Sequence, residues 1–373
     1  MKFNRDTRTI LHVIDTTGPG GAETVFIELA SRLRKCGFRS VVVICGPGWV
    51  CDQLRMRELT PYVIPAKGAF NWRFLLAILK IIRSEQVDII QSHLLGSNVY
   101  CAIAGLIARK PVIATFHGMV DVGPAERFRA AKLWLMNRGV SRFVCVSKSL
   151  RDAIDREGLL DPSRCEIIYN GIDLSKYGRI DKRELRDRLG LSSDAILIGS
   201  LGNVRPAKGY DLLLRAARRV IDINSQAHFI IAGDPKSSLQ RELDKLSADL
   251  NIENHVHFIG FCNDSAKFLG QLDYFLLTSI SEGLSIATIE ALATGLPAVL
   301  TLCGGPEEIA RAGIDAVMVA PQESAIATGL LQLLEDEELA ERMSASGKSS
   351  VAAKFAIGIM LERYMDLYAS ALT

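Results

Sequence analysis

Short, strongly apolar runs alternate along this chain with stretches whose apolar residues recur at helical spacing. Thr9–Asp15 (TILHVID), Ser40–Cys45 (SVVVIC), Val87–Gln91, Val112–Phe116, Phe143–Val146 and Cys165–Ile168 read as strands. Between them Glu23–Cys36, Phe74–Ser84 and Val99–Ala108 read as helices, the first with Gly37 as its stop signal. Strands that are apolar at every position, and not only at alternate ones, are buried on both faces. Helices between them imply crossover connections, so the pattern predicts a parallel sheet covered on both sides. The cycle then restarts. Ala195–Leu201, Phe229–Ala232, Val256–Ile259, Tyr274–Leu277 and Ala298–Thr301 read as strands, with helices at Tyr210–Ile221 and Leu284–Thr294. Two such cycles predict two doubly wound α/β domains. Asn170–Asp194, polar and interrupted by glycine, reads as the connection, and Ile359–Leu372 as an amphipathic helix after a break at Gly358.

Length and composition agree with that division. A chain of 373 residues exceeds one typical core. With 49% hydrophobic and 23% charged residues it has ample material for two, and a net charge of +2 gives no global attraction to nucleic acid. None of the eight cysteines forms a C-x-x-C pair, and several sit in apolar runs. They read as buried free thiols of a reducing cytoplasm rather than disulfides or zinc ligands. The N-terminal apolar run is too short for a secretory signal, and no stretch of about 20 residues is continuously apolar enough to span a membrane.

Candidate chemistry collects where strands give way to helices. Gly18-Pro19-Gly20-Gly21-Ala22-Glu23 lies between the first strand and the first helix, where backbone N–H groups favour an anion. A nicotinamide fingerprint needs a third glycine at position 23, and Glu23 stands there, which disfavours a dinucleotide dehydrogenase. His117 follows the strand Val112–Phe116 and precedes Gly118, and His93 closes another strand run; residues at these ends line the ligand crevice of an open α/β sheet. In the second cycle, Gly202-Asn203-Val204-Arg205-Pro206-Ala207-Lys208-Gly209 puts two cations, Arg205 and Lys208, in a loop that opens a helix, which suits a diphosphate. Gly233-Asp234-Pro235 is a candidate crevice wall, although a simple turn explains it equally well.

The richest segment is Ser279–Leu292. A helix beginning near Gly283 would put Glu282 at its mouth and Glu290 two turns inside, with the N–H groups of Leu284 and Ser285 facing phosphates. Eight helical residues rise about 12 Å. Paired carboxylates of glycosidases stand about 5–9.5 Å apart, so the two glutamates read as groups at opposite ends of one long ligand. Gly304-Gly305-Pro306-Glu307-Glu308 is a further glycine-rich strand-to-helix loop. No D-x-D flanked by apolar residues and no His/Cys cluster gives support for a metal.

Taken in order, GGAE at 20–23, FHG at 116–118, VSKS at 146–149, NGID at 170–173, the KG loop at 202–209, EG-x6-E at 282–290 and GG-x-x-E at 304–308 resemble glycosyltransferase family 4, over nearly the whole chain. The resemblance implies the GT-B fold: two Rossmann-like domains facing across a cleft, with the C-terminal helix crossing back to the first. The expected division is 1–171 plus 358–373, on the acceptor side, and 172–357, which binds the donor. The implied activity is retaining, metal-independent transfer of a sugar from a nucleotide-diphosphate sugar, UDP-sugar favoured, to a glycan, lipid-linked sugar or other hydroxyl acceptor, in cell-surface polysaccharide or glycoconjugate synthesis. It needs no cofactor. By resemblance Glu290 binds the ribose, Glu282 the sugar hydroxyls, His117 the transferred sugar and Lys208 the departing diphosphate, while Gly20 and Gly21 approach the phosphates. Many members have GR where this chain has Gly202-Asn203, so Arg205 stands as a substitute cation. The alternatives are a GT-B sugar-nucleotide epimerase and a non-catalytic nucleotide-sugar- or glycan-binding protein. The implied location is the cytoplasm, with the inner face of the membrane as the place of any peripheral contact. Such contact would run through Arg127–Arg138, which mixes cations with Phe128, Leu133, Trp134 and Met136.

Overall fold

The computed structural model describes residues 7–66, 70–118, 127–235 and 237–372. The chain folds as two compact units, Met1–Asn170 with Gly358–Thr373, and Gly171–Ile357.

Unit 1 is built on strands β1 (Thr9–Ile14), β2 (Arg39–Ile44), β3 (Tyr62–Val63), β4 (Ile89–His93), β5 (Val112–Phe116), β6 (Arg142–Cys145) and β7 (Cys165–Ile167). They form one sheet in the order β3-β2-β1-β4-β5-β6-β7, every pair parallel. β1, β4 and β5 are buried along their whole length, as apolar strands covered on both faces must be. The register sets His12 beside Gln91, and His93 beside Thr115.

Unit 2 repeats the plan with β8 (Ile196–Leu201), β9 (Ala227–Ala232), β10 (Val256–Gly260), β11 (Tyr274–Leu277), β12 (Ala298–Thr301) and β13 (Val317–Val319). The order is β10-β9-β8-β11-β12-β13, again all parallel. The strand order reverses beside β1 in one sheet and beside β8 in the other. These are the switch points at which open α/β sheets take ligands. One core of unit 2 packs the helix Tyr210–Ile221 against β8, β9 and the helix Glu323–Glu335 through Leu213, Leu214, Ala217, Phe229, Leu330 and Leu333.

The structure corrects two readings of the sequence, the break at Gly358 and the start of the helix after β11, and adds detail to a third. Gly358 breaks nothing: it lies inside the helix Ile357–Leu372, and the interruption falls at Phe355 and Ala356, after the helix Glu337–Lys354. The connecting stretch is more structured than its polarity suggests, with short 3-10 turns and the helix Arg183–Leu189. The helix after β11 begins at Ile286, not near Gly283, because the Ser285 side chain accepts from Thr288 N and so supplies the N-cap. Glu282 is therefore in the preceding loop, and Glu290 is only the fifth helical residue. The 12 Å separation assumed for two helical glutamates does not apply.

The helix Ile357–Leu372 returns the chain to unit 1. Tyr364 and Tyr368, one turn apart on this helix, are among the largest fully buried side chains of the protein. Their hydroxyls reach Thr115 Oγ1 at 3.2 Å and Gln91 Oε1 at 3.0 Å. Without those partners two phenols would be buried unsatisfied.

Candidate active site

In unit 2 the residues singled out by sequence gather at the strand ends. Lys208 Nζ lies 2.7 Å from Glu282 Oε1, which also accepts from Ser279 Oγ at 2.6 Å. Both side chains are mostly buried, at 20% and 14% exposure. An ion pair so withdrawn from water holds its partners in register more than it stabilises the fold. Two backbone contacts hold the lysine loop: Thr278 Oγ1 donates to Lys208 O and Tyr210 OH to Gly202 O, at 2.9 and 2.6 Å. On the other side Glu282 N donates to Cys303 O, so the loop after β12 closes on the backbone of the same residue. Cys303 feels the Glu282 carboxylate; burial, with Glu282 beside it, pushes its thiol up to about 12.

Two glycines make these contacts possible. A Cβ at Gly233 would sit 1.9 Å from Gly202 O, so the loops after β8 and β9 touch backbone to backbone. Gly209 has φ +59 and a Cβ there would lie 2.3 Å from Thr278 O, so both its conformation and its neighbour exclude a side chain. Asn203 closes the same junction, its Oδ1 accepting from Asp234 N at 3.1 Å. That bond gives Asn203 a structural task that the sequence does not reveal. Arg205, by contrast, is exposed.

Glu290 is 7% exposed, and its Oε1 accepts from Tyr177 OH at 2.7 Å and Ser265 Oγ at 3.1 Å. Burial raises its pKa, against the two hydrogen bonds and the nearby Lys176, which lower it. Nothing in the sequence marks Tyr177 and Ser265 as its partners, since they lie 113 and 25 residues from the glutamate. Leu284 and Ser285 are buried, and Gly305 packs on the same loop, its Cβ position 3.0 Å from Glu282 Cβ. Near Ser265, a half-open cavity of about 210 Å³ is lined by Phe261, Cys262, Asp264, Lys267 and Arg188, among others. Whole-ligand pockets run to about 300–1,000 Å³, so this one has room for a single portion of a ligand.

In unit 1, Gly20 caps the helix Gly21–Leu33 in an extended conformation, and its carbonyl accepts from Thr24 N and Thr24 Oγ1. Beside it Asp15, at the end of β1, is held by Ser97 and kept above the usual carboxylate range by burial. A Cβ at Gly96 would lie 1.9 Å from Asp15 Oδ2, so that glycine admits the carboxylate. His93 Nδ1 is 3.0 Å from His117 Nε2, with the rings stacked 5.2 Å apart. His93 is wholly buried and held well below its ordinary pKa, first by burial and then by His117 and His12. Loss of solvent likewise pushes His117 down to about 3. Among the described residues no group of three or more His, Cys, Asp or Glu is placed to hold a metal ion, and no helix is long and apolar enough to cross a membrane.

Residues 19–176 match the family model described as Glycosyltransferase Family 4, and residues 181–350 the one described as Glycosyl transferases group 1. The Escherichia coli UDP-Gal:alpha-D-GlcNAc-diphosphoundecaprenol alpha-1,3-galactosyltransferase is 26% identical over 310 residues, covering 80% of this chain and 79% of that one. The lipopolysaccharide core biosynthesis glycosyltransferase LpsE of Rhizobium meliloti is 28% identical over 363 residues, covering 94% and 96%. Among solved structures, Anabaena HepE in complex with UDP and glucose superposes with a TM-score of 0.88 at 23% identity, covering 97% of this chain and 100% of that one.

Proposed function

As the chain belongs to the family 4 glycosyltransferases, retaining enzymes of the GT-B fold, we propose that it transfers a sugar from a UDP-sugar to a hydroxyl of a glycan or lipid-linked sugar, in the assembly of a cell-surface polysaccharide or glycoconjugate. The observation that carries the reading is the Lys208–Glu282 pair, set among the glycine loops at the switch point of unit 2. A cation tied to a carboxylate and set among glycine loops suits a diphosphate joined to a sugar. Lys208 meets the charge that builds on the leaving diphosphate, and Glu282 accepts from sugar hydroxyls. Leu284 and Ser285 line the phosphate path, and Gly233 and Asn203 shape the loops beneath it. Glu290, with one oxygen occupied by Tyr177 and Ser265, binds the ribose hydroxyls through the other. Arg205 adds a second, exposed cation. In unit 1 His117 contacts the transferred sugar, and Gly20 and Gly21 the phosphates. A UDP donor is supported by the E. coli relative, whose name specifies UDP-Gal, and by HepE, solved with UDP.

Chemically, the bond from the anomeric carbon to the phosphate oxygen breaks as the acceptor oxygen attacks from the same face. The acceptor's proton passes to the leaving phosphate, so no protein nucleophile is required. Glu282, already tied to Lys208 and Ser279, is a positioning group in this scheme. We expect Lys208→Ala and Glu282→Ala each to cut kcat/KM by about 10²–10³; normal turnover in both would sink the assignment. A thermal-shift screen of UDP, GDP, ADP and their sugars identifies the donor, because only a bound ligand raises Tm.

The membrane side of the reading rests on the helix Arg129–Gly139. It buries Leu133 and Met136 but leaves Trp134 56% exposed, with the Arg138 guanidinium 4.7 Å from its ring. Phe128 beside it is 62% exposed. A cation over an exposed indole suits an anionic lipid surface. Co-sedimentation with anionic vesicles at low salt, weakened by Trp134→Ala, is the expected result; no sedimentation of the wild type would remove this surface.

A further inference from the structure

Gln91, His93, Thr115 and His117 form one line of hydrogen bonds in unit 1. Gln91 and His93 are two residues apart on β4, so they project from the same face of the sheet. Thr115 on β5 pairs in register with His93, and His117 follows two residues on. The helix Ile357–Leu372 covers these side chains with Tyr364 and Tyr368. Gln91, His93, Thr115 and Tyr368 have no solvent exposure at all. Every hydrogen in this line must therefore have a place, which makes the protonation of each ring deducible.

The deduction starts at the Gln91 amide. Its nitrogen lies 3.3 Å from the Ser92 carbonyl and 2.9 Å from Thr115 Oγ1, while its oxygen accepts from Tyr368 OH. Turning the amide over would set its oxygen against the Ser92 carbonyl, so the nitrogen must be the atom on that side. An amide nitrogen donates and does not accept. A hydrogen on His93 Nε2, 3.3 Å from it, would therefore be buried without an acceptor, whereas a bare Nε2 can share one of the amide hydrogens, so Nε2 carries no hydrogen. A neutral ring with a bare Nε2 has its proton on Nδ1. That proton points at His117 Nε2, 3.0 Å away. His117 Nε2 is then an acceptor, and the proton of its neutral ring is on Nδ1.

We propose that Gln91, oriented by the Ser92 carbonyl and held by Thr115 and Tyr368, is a positioning residue that fixes His117 as the Nδ1-protonated neutral tautomer, so that His117 serves transfer as a hydrogen-bond donor to a substrate oxygen and not as a base. The proposal rests on the reading of His117 as a sugar contact. It also gives the returning helix a part in the reaction, although the helix touches no substrate group. Oriented donors act on the charge that develops in the transition state, and a ring in the wrong tautomer offers a lone pair where a proton is needed.

Nitrogen-15 NMR of the full chain labelled at its six histidines reads the tautomers without any turnover. The expected spectrum has His93 and His117 protonated on Nδ1 and bare on Nε2; a proton on His117 Nε2 overturns the relay. Gln91→Glu replaces the donor at His93 by an acceptor, drawing the proton to His93 Nε2 and reversing both rings. We expect kcat to fall about a hundredfold while the KM for donor, whose ribose and diphosphate contacts the variant leaves in place, stays within about twofold. A folded Gln91→Glu enzyme with reversed rings and unchanged kcat would overturn the catalytic role. If the buried carboxylate prevents folding, Gln91→Met decides: it removes the amide hydrogen that faces His93 Nε2, and should give mixed tautomers with a smaller loss of kcat. A single tautomer and full kcat in that variant would count against the positioning role of Gln91. Lys208→Ala tests the transferase reading without touching this line, so the two failures are distinguishable.

Discussion

Glu290 shows how a single residue is prepared by parts of the chain far from it. A carboxylate at 7% exposure inside an apolar helix costs free energy unless its oxygens are satisfied. Tyr177 and Ser265 satisfy one of them. Tyr177→Phe removes a hydrogen bond to a charged group, worth about 1.5–3 kcal/mol. If Glu290 holds the ribose, the loosened carboxylate should raise the donor KM by about tenfold, with kcat nearly unchanged. Glu290→Gln should do the same, whereas equal loss of kcat in either variant would place Glu290 nearer the reacting bond. Neither partner is legible in the sequence. Lys208 and Glu282 are legible as charged residues in glycine loops, but their pairing is not: 74 residues separate them and only the sheet order brings them together.

Elements are legible wherever burial imposes its own signature. Val112–Phe116, Tyr210–Ile221, Tyr274–Leu277 and Ala298–Thr301 begin and end where the apolar pattern puts them. Short or half-exposed elements escape, among them Tyr62–Val63, whose two residues are both exposed. Gly358 misleads for a physical reason: glycine lowers helix propensity, but packing of Met360, Leu361, Tyr364 and Leu367 outweighs that cost. A Cβ at Gly358 would meet nothing within 4 Å. Gly358→Ala should therefore stabilise the protein by about 0.4–1 kcal/mol, measured as a higher denaturant midpoint. Gly233→Ala should do the opposite, since its Cβ would strike the Gly202 carbonyl. We expect a loss of about 1–3 kcal/mol and weaker donor stabilisation in the thermal-shift screen. An unchanged midpoint for Gly233→Ala would mean that the two loops part freely.

For the molecule as a whole, the buried histidines set a limit at acid pH. His12 lies wholly buried in β1, and among the described residues neither ring nitrogen has a hydrogen-bond partner. Burial pushes its pKa down to about 3, and His93 is lowered for the same first reason. Between that range and the ordinary value of about 6.5, the unfolded chain binds protons that the native state refuses. The stability these rings contribute is complete above about pH 6.5 and is lost as pH falls toward 3. Each adds at most about 1.4 kcal/mol per pH unit to the slope. Denaturation midpoints taken between pH 7.5 and 5 should fall, and His12→Leu should flatten the decline without destabilising the protein at neutral pH. A slope the same in wild type and variant would show that His12 has a partner after all.

The helix Ile357–Leu372 also bears on the order in which the protein is made. A ribosome delivers residues 1–170 first, yet the polar line of Gln91 and Thr115 waits for hydroxyls that follow the whole of unit 2. Unit 2, contiguous from Gly171 to Ile357, depends on no such late arrival. The half of the enzyme begun first is thus the half completed last, and until then the Gln91 carbonyl and the Thr115 hydroxyl lack the partners and the cover that the returning helix brings.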